Sequence, residues 1–302
     1  IIEIQGSTSH DLIKYLFCRD LSSVIPGRAY YAPIVNFEGG ILNDPVVFCL
    51  SESHFLISLS DSDLFNWISA INYTMKFNAL VCESDRITIA IQGPKSEILL
   101  SRIFGKEIEK LKYFRFESYT FNKENVLVSK TGFSKQTGYE IIISNNKTGV
   151  LLWDMIMKEG VDLNIRVGCP NMIERVENHL LSYGNEMTNK NIPQDCGLGK
   201  FCNLEANFDF VGKSALLRQR DKGFNKSIYL VKFDLDIFPR PPFFNNLSVH
   251  NKGKEDGKVT SVVWSPKYKK YVGFLIANKS IEQNSKNYLI NKEVPLDILE
   301  IN

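Results

Sequence analysis

Hydrophobic and polar positions switch repeatedly along the chain between a period of two and a period of three to four, the signature of mixed strands and helices. The chain opens in a strand-like run, Ile1-Ile2-Glu3-Ile4, with no Met and no leader pattern, and reads as a chain missing its natural start. Thr8, three residues before Asp11, is a capping-box-like start for a helix over 11–17 that Arg19-Asp20 ends. Residues 30–37 and 41–50 read as strands joined by the tight turn Glu38-Gly39-Gly40, and 54–59 as a third. Asp61-Ser62-Asp63 places negative charge before a helix over 64–73, where the helix dipole favours it. A strand over 86–92 precedes a helix over 95–104 opened by Pro94. Strands over 113–121, 125–130 and 138–143 follow, then a helix over 148–158 closed by Gly160. Pro170 predicts the start of a long helix running to Ser182. Met172, Ile173, Val176 and Leu180 form its apolar face, and Asn171, Arg175 and Asn178 a polar stripe that would face solvent. A short helix over 213–218 is the last.

From Lys226 onward turns, not helices, separate strand patterns over 228–233, 248–251, 258–264, 272–277 and 294–301. Strands in succession after an α/β region predict a separate all-β domain. The boundary falls at Asp221-Lys222-Gly223, giving domains over 1–222 and 223–302. Phe238-Pro239-Arg240-Pro241-Pro242 reads as a stiff loop between two strands of the second.

A length of 302 residues fits about two domains. Hydrophobic residues make up 44% and charged residues 23%, an ordinary globular balance. The 36 Lys and Arg nearly cancel the 34 Asp and Glu, which gives no overall electrostatic footprint for nucleic acid. No apolar run reaches the roughly 18 residues of a membrane helix. With no export signal in view, the cytoplasm is the expected compartment. Cysteines 18, 49, 82, 169, 196 and 202 form no CxxC pair and read as buried free thiols rather than disulfides or a zinc site. Histidines 10, 54, 179 and 250 are scattered, so no metal is expected, and chemistry would rest on carboxylates, amides and aromatics.

The familiar catalytic templates are missing: no GxSxG elbow, no HExxH, no Walker A loop and no GxGxxG. Two carboxylates stand out. Asp44, in 39-GGILNDPVV-47, lies within an apolar run, where a lone acid pays for desolvation unless it is paired or used. Glu140, in 132-GFSKQTGYEI-141, begins an apolar strand. Taken alone, Asp44 reads better as a turn-capping carboxylate and Glu140 as a solvated strand end.

A resemblance changes that balance. GGILNDPVV, IQGPKS, GFSKQTGYEI, RVENHLLSYGNEMT, GLGKF, DFVGKSAL and VTSVVWSPKYKKYVG, in this order over nearly the whole chain, resemble the tetrahydrofolate-dependent aminomethyltransferase (glycine-cleavage T-protein) family. GFSKQTGYEI, GCPNMIERVE and SPKYKK are most similar to its dimethylsulfoniopropionate demethylase branch. The resemblance implies an α+β fold: a three-lobed cloverleaf of two interleaved ferredoxin-like lobes plus a C-terminal β-barrel, around a central folate channel. It implies that Asp44 is the active-site acid beside folate N5 and that Tyr31 and Ser58 line the pterin or donor pocket. It further implies that Glu140 binds the pterin's amino and N3 groups and that Arg175 binds folate.

Three departures bear on the reaction. Classical T-proteins carry a second acid where this chain has Asn43, and an Arg-Asp pair where it has Asn171-Met172; both changes count against ammonia release. The demethylase branch commonly carries an aromatic two residues after the glutamate, where a sulfonium could meet a ring; here it is Ile142. The expected function is therefore transfer of an intact methyl group from a small donor, a sulfonium or a methylated amine, to tetrahydrofolate. The partners are folate and that donor, with no nucleic acid and no membrane. The alternative is a glycine-cleavage aminomethyltransferase served by a lipoylated carrier protein. Lowest ranks a folate-binding protein without transferase activity, since its Cys-containing motif is absent at 181–186.

Overall fold

The computed structural model describes residues 1–60, 62–168, 171–235, 246–279, 288–290 and 294–301. In chain order its first elements are β1 (Ile2–Gln5), α1 (Ser9–Leu16), β2 (Arg28–Tyr31), β3 (Ile34–Val35), β4 (Ile41–Asn43), β5 (Val46–Ser51), β6 (His54–Ser58) and α2 (Leu64–Thr74). Next come β7 (Leu80–Glu83), β8 (Ile87–Gln92), α3 (Ser96–Phe104), β9 (Phe116–Phe121), β10 (Glu124–Ser129), β11 (Gly138–Ile143), α4 (Asn146–Glu159), α5 (Met172–Glu177) and α6 (Lys213–Lys222). The chain ends in β12 (Lys226–Phe233), β13 (Leu247–Asn251), β14 (Lys254–Ser265), β15 (Lys270–Asn278), β16 (Tyr288–Ile290), β17 (Val294–Pro295) and β18 (Asp297–Glu300). Mixed α and β content with several sheets agrees with the expected class. Asp61, Cys169, Pro170 and the 238–242 loop lie outside the described residues, and β7 and β16 are strands that the hydrophobic pattern did not suggest.

Three expected strands are each cut in two, the last of them, 294–301, into β17 and β18. Residues 30–37 break at Ala32-Pro33, and 41–50 break at Asp44-Pro45. Proline has no N–H to give a ladder, and it restricts the residue before it, so each X-Pro step ends a strand. The chain folds into two compact units, Ile1–Tyr15, Leu21–Ala32 and Pro45–Pro170 in the first, Leu16–Asp20, Pro33–Asp44 and Asn171–Asn302 in the second. Both proline steps therefore fall where the chain passes from one unit to the other.

The first unit stacks two antiparallel sheets, in the orders β2-β5-β6-β1-β7 and β8-β11-β10-β9. Alternation sends Phe48, Leu56, Phe116 and Ile142 into the seam between them, with Phe48 and Phe116 edge-on at 5.4 Å. On its outer face the first sheet is covered by α1, whose His10 stacks on Phe55. The second sheet turns Tyr139, Ile141 and Ile143 outward, onto Leu99 and Leu100 of α3 and Leu152 and Ile156 of α4.

The second unit is built on a seven-stranded antiparallel sheet, β17-β16-β13-β14-β15-β12-β18. Strand β12 sends Tyr229, Val231 and Phe233 into one core, with Val249, Tyr271 and Ile298, and Ile228 and Leu230 into another beneath Val176 of α5. Residues 261 and 262 of β14 stand opposite the single Gly273, a bulge that holds Ser261 at φ +50°. A Cβ at Gly273 would press on Val259, Thr260 and Val262, so this register admits only glycine. A two-stranded hairpin, β3 with β4, completes the unit. Its Gly40 passes directly over the Asn189 carbonyl, where no Cβ fits.

The long helix expected to run to Ser182 stops at Glu177. Asn171 caps its start by accepting from the N–H groups of Ile173 and Glu174. At its end His179 adopts φ +59° and Leu180 N–H returns to the Arg175 carbonyl, the left-handed helix stop. Nor does Arg175 face solvent: its side chain is 2% exposed and the Glu186 carboxylate 0%. All five guanidinium donors are used. Nε reaches Met172 Sδ (3.2 Å); Nη1 reaches the Leu180 carbonyl (3.0 Å) and Glu186 Oε2 (3.1 Å); Nη2 reaches Glu186 Oε1 (3.2 Å) and Ser261 Oγ (2.5 Å). Glu186 also accepts from Ser182 N–H (2.7 Å) and the Ser261 hydroxyl.

Removing one partner of a buried pair strands the other charge, at a cost of about 3–5 kcal/mol. Glu186→Leu is expected to lower the urea midpoint accordingly, and the double variant Arg175→Met/Glu186→Leu to recover part of the loss. A Glu186→Leu variant as stable as the parent would refute this role for the pair.

Candidate functional site

Glu140 is the centre of the first unit's polar chemistry. In β11 it shares the seam-facing side with Ile142, and in register it stands between Ala90 of β8 and Ser129 of β10. Both neighbours are small, so the carboxylate is not crowded by the sheet. Its single side-chain hydrogen-bond partner among the described residues is the Thr131 hydroxyl, on Oε2. No cation among the described residues offsets it: burial pushes the carboxyl above its ordinary range, and the Thr131 bond only partly reverses this. The nearby Lys130 and Tyr139 side chains are engaged elsewhere, each 2.8 Å from Glu97 Oε2.

The loop over 131–138 that leads into Glu140 is pinned by Gln92. Its amide Nε2 donates to the carbonyls of Thr131 (3.3 Å) and Tyr139 (3.4 Å), and its Oε1 accepts from Ser134 Oγ (2.7 Å). Gly132 and Gly138 flank this carboxamide, and a Cβ at either position would run into it. The glycine pair in GFSKQTGYEI is thus the space in which Gln92 lies. Gly93 N–H and Ser96 Oγ both donate to the Thr137 carbonyl, at 2.9 and 3.1 Å.

Tyr31 and Ser58 are the last residues of β2 and β6, and both pair with Val46 of β5. The structure therefore brings these two candidates into one row across the first sheet, both partly buried. Asp44 lies in the second unit, partly buried at the end of β4 rather than inside a strand. Buried Asn43 accepts the Asp44 N–H through Oδ1 at 2.9 Å, fixing the backbone where Pro45 supplies no donor. An aspartate at 43 would add a second buried negative charge beside Asp44; the amide keeps the acceptor and omits the charge. The Cys196 thiol is pushed up by burial first, then by the charges of Asp195, Glu186 and Asp44. Arg175 has no donor left for a ligand, in contrast to the folate-binding role the resemblance implies for it.

Sequence reasoning missed Gln92, Thr131, Glu186 and Ser261. The two glycines six residues apart were a signal for Gln92, since they bracket a space that some side chain must fill. Nothing local marks the other three, whose partners lie up to 86 residues away. Cysteines 18, 49, 82, 196 and 202 are free thiols. Among the described residues no three His, Cys, Asp or Glu side chains gather in a way that could hold a metal ion, and no helix is long and apolar enough to cross a membrane.

A carboxyl whose folded value is raised favours folding while it is protonated, and loses that contribution as pH rises through the folded value. Ionised Glu140 therefore costs the unliganded protein stability at neutral pH. Glu140→Gln is expected to melt at a higher temperature than the parent at pH 7.5, with the difference closing below about pH 4, where both side chains are neutral. Equal melting temperatures across that range would contradict the assignment of a strained carboxylate.

Comparison with known proteins agrees with this architecture. The family model described as the GCVT N-terminal domain matches residues 1–206. A dimethylsulfoniopropionate demethylase of Ruegeria pomeroyi is 38% identical over 267 residues, which cover 88% of this chain and 72% of that protein. An aminomethyltransferase of Thermoanaerobacter pseudethanolicus is 28% identical over 317 residues, covering 99% and 82%. Among solved structures, the glycine cleavage system aminomethyltransferase T from Bartonella henselae superposes with a TM-score of 0.84 at 19% identity, over 99% of this chain and 82% of that one. The fold is shared with that structure, and the match over residues 1–206 together with the 38% identity shows that this chain belongs to the GCVT family.

Proposed function

We propose that this protein transfers a methyl group from a small donor, a sulfonium of the dimethylsulfoniopropionate type or a methylated amine, to N5 of tetrahydrofolate. The observation that carries this reading is the partly buried Glu140 carboxylate, which has one side-chain hydrogen-bond partner and no counter-charge among the described residues. Such a group gains most from a ligand that brings donors to it. The aminopyrimidinone edge of a pterin brings two parallel N–H groups, which a carboxylate accepts as a fork. Likeness to a demethylase supports direct methyl transfer as the reaction, and the neutral Asn43 beside Asp44 fits it.

In this reading Asp44 orients N5 and stabilises the positive charge that develops there as the methyl arrives. Tyr31 and Ser58 line the donor or pterin pocket. Arg175 is left out of the folate contacts, because its donors are spent within the chain. The S–CH3 bond breaks with its electron pair left on sulfur, which departs as a neutral thioether. The N5 lone pair forms the new bond, and the N5 proton passes to Asp44 or solvent. The protein's main contribution is to hold the methyl in line with N5 away from water. The same reading takes 1–222 as the folate-binding domain and 223–302 as the barrel lobe of a three-lobed cloverleaf, in a cytoplasmic enzyme without nucleic-acid or membrane partners.

Likeness to aminomethyltransferases supports the alternative, aminomethyl transfer from a lipoylated carrier. Mass spectrometry of the enzyme incubated with tetrahydrofolate and a donor panel separates the two. 5-Methyltetrahydrofolate formed without lipoylated protein is the expected product. 5,10-Methylenetetrahydrofolate and ammonia formed only with an aminomethyl-loaded carrier would establish the alternative, and no product with any donor would leave a folate-binding protein.

Two variants test the residue roles. Asp44→Asn should lower kcat by on the order of a hundredfold while folate affinity changes little, as expected for a group that acts in the transition state. Glu140→Ala removes charged hydrogen bonds of about 1.5–3 kcal/mol, so the folate dissociation constant should rise roughly ten- to a hundredfold by calorimetry.

A further inference from the structure

We propose that Thr131 is the positioning residue of the Glu140 carboxylate, holding Oε2 so that the remaining lone pairs face an incoming pair of N–H donors. This rests on the folate reading for the identity of the ligand, but not for the contact itself. The geometry has three parts. Thr131 is buried, and its carbonyl is tied to Gln92 Nε2 at 3.3 Å, which fixes its backbone. Its hydroxyl meets Glu140 Oε2. Behind it, Ser129 Oγ lies 3.0 Å from Thr131 Oγ1, in the strand next to Glu140.

A threonine hydroxyl carries one proton and two lone pairs. With Glu140 ionised, that proton points at Oε2 and Ser129 donates its own to Thr131, so both hydroxyls face the same way. Among the described residues one weaker acceptor competes for the Ser129 hydroxyl, the Arg115 carbonyl at 3.4 Å. A carboxylate offers about four lone-pair sites. Thr131 takes one, and three remain for a two-pronged ligand.

The terminal torsion of a glutamate is broad, so an untethered carboxylate would sample many planes. Fixing the plane in advance removes part of the ordering cost of binding. No charged group among the described residues does this for Glu140: Ala90 and Ser129 flank it in the sheet, and Lys130 and Tyr139 are committed to Glu97. The hydroxyl thus stabilises the ionised form, the form that can accept from a pterin, while leaving the site without a cation that would compete with the ligand.

The test compares the parent with Thr131→Val, which keeps shape and loses the hydroxyl, and Thr131→Ser, which restores it. Carbon-13 NMR of glutamate-labelled protein without ligand follows the Glu140 carboxyl through pH, its signal assigned by its loss in Glu140→Gln. Calorimetry with tetrahydrofolate under argon gives affinity across the same range. In Thr131→Val the Glu140 signal should titrate at higher pH, and folate affinity at neutral pH should fall roughly three- to tenfold, as expected for one neutral donor. Its acid limb should move to higher pH, and Thr131→Ser should return all three towards the parent. A residue that mattered only for folding would change none of these in folded protein. If Thr131→Val does not fold, Thr131→Ala serves in its place. A folded variant whose Glu140 titration and folate affinity match the parent overturns the proposal. A shifted Glu140 titration in a protein that binds no tetrahydrofolate upholds Thr131 and rejects the folate reading instead.

Discussion

The carboxylate of Glu186 is taken entirely out of water, and four donors meet it: both terminal nitrogens of Arg175, the Ser182 N–H and the Ser261 hydroxyl. A charge in that position must be matched or the fold does not hold. Much of the second unit follows from that requirement. The helix α5 has to end after Glu177, so that the chain can turn back and bring Glu186 to Arg175. Strand β14 has to bulge, so that Ser261 reaches the pair, and the strand opposite has to carry Gly273 to make room. A buried pair of this kind adds little to net stability compared with apolar packing, but it selects one arrangement of three segments over its neighbours.

Glu140 meets the same constraint with the opposite outcome. Its side chain is partly buried, yet among the described residues only Thr131 answers it and no cation offsets it. The first unit leaves this group under-satisfied while pinning everything around it: Gln92 fills the space between Gly132 and Gly138, and the flanking loop is tied at several carbonyls. A rigid frame around an unsatisfied acid is how a protein stores affinity for a ligand at the expense of its own stability. A solved charge and an unsolved one, in the same chain, separate what maintains the fold from what is available for binding.

The proline steps show how local chemistry shapes chain routing. Pro33 and Pro45 each remove a backbone donor, and at each the strand ends and the chain changes unit. Asp44 owes its place to this. It is not a polar residue tolerated inside a strand but the residue at the break, with its N–H taken by Asn43. The replacement of an acid by Asn43 is likewise intelligible: the position is buried and needs an acceptor, not a second charge.

The sequence by itself determined the alternation of elements and the strand-rich end after Lys226. It also determined the span of β11 and the turns at Glu38-Gly39-Gly40 and Gly160, because periodicity and turn residues act over a few positions. It set Asp44 and Glu140 apart only through the motifs that carry the family resemblance, since an acid at a turn or a strand end is ordinary on its own. It could not say that Arg175 points inward. Helical spacing put Arg175 on a polar stripe, and only the arrival of Glu186 and of Ser261, eleven and 86 residues later, turned it into a buried ligand of its own chain. Nor could it say which partner Glu140 keeps, since that depends on a loop fastened by Gln92 from another strand. Local pattern encodes what neighbours in sequence do to the backbone; which charges are buried, and with whom, is decided only when distant segments meet and water is excluded.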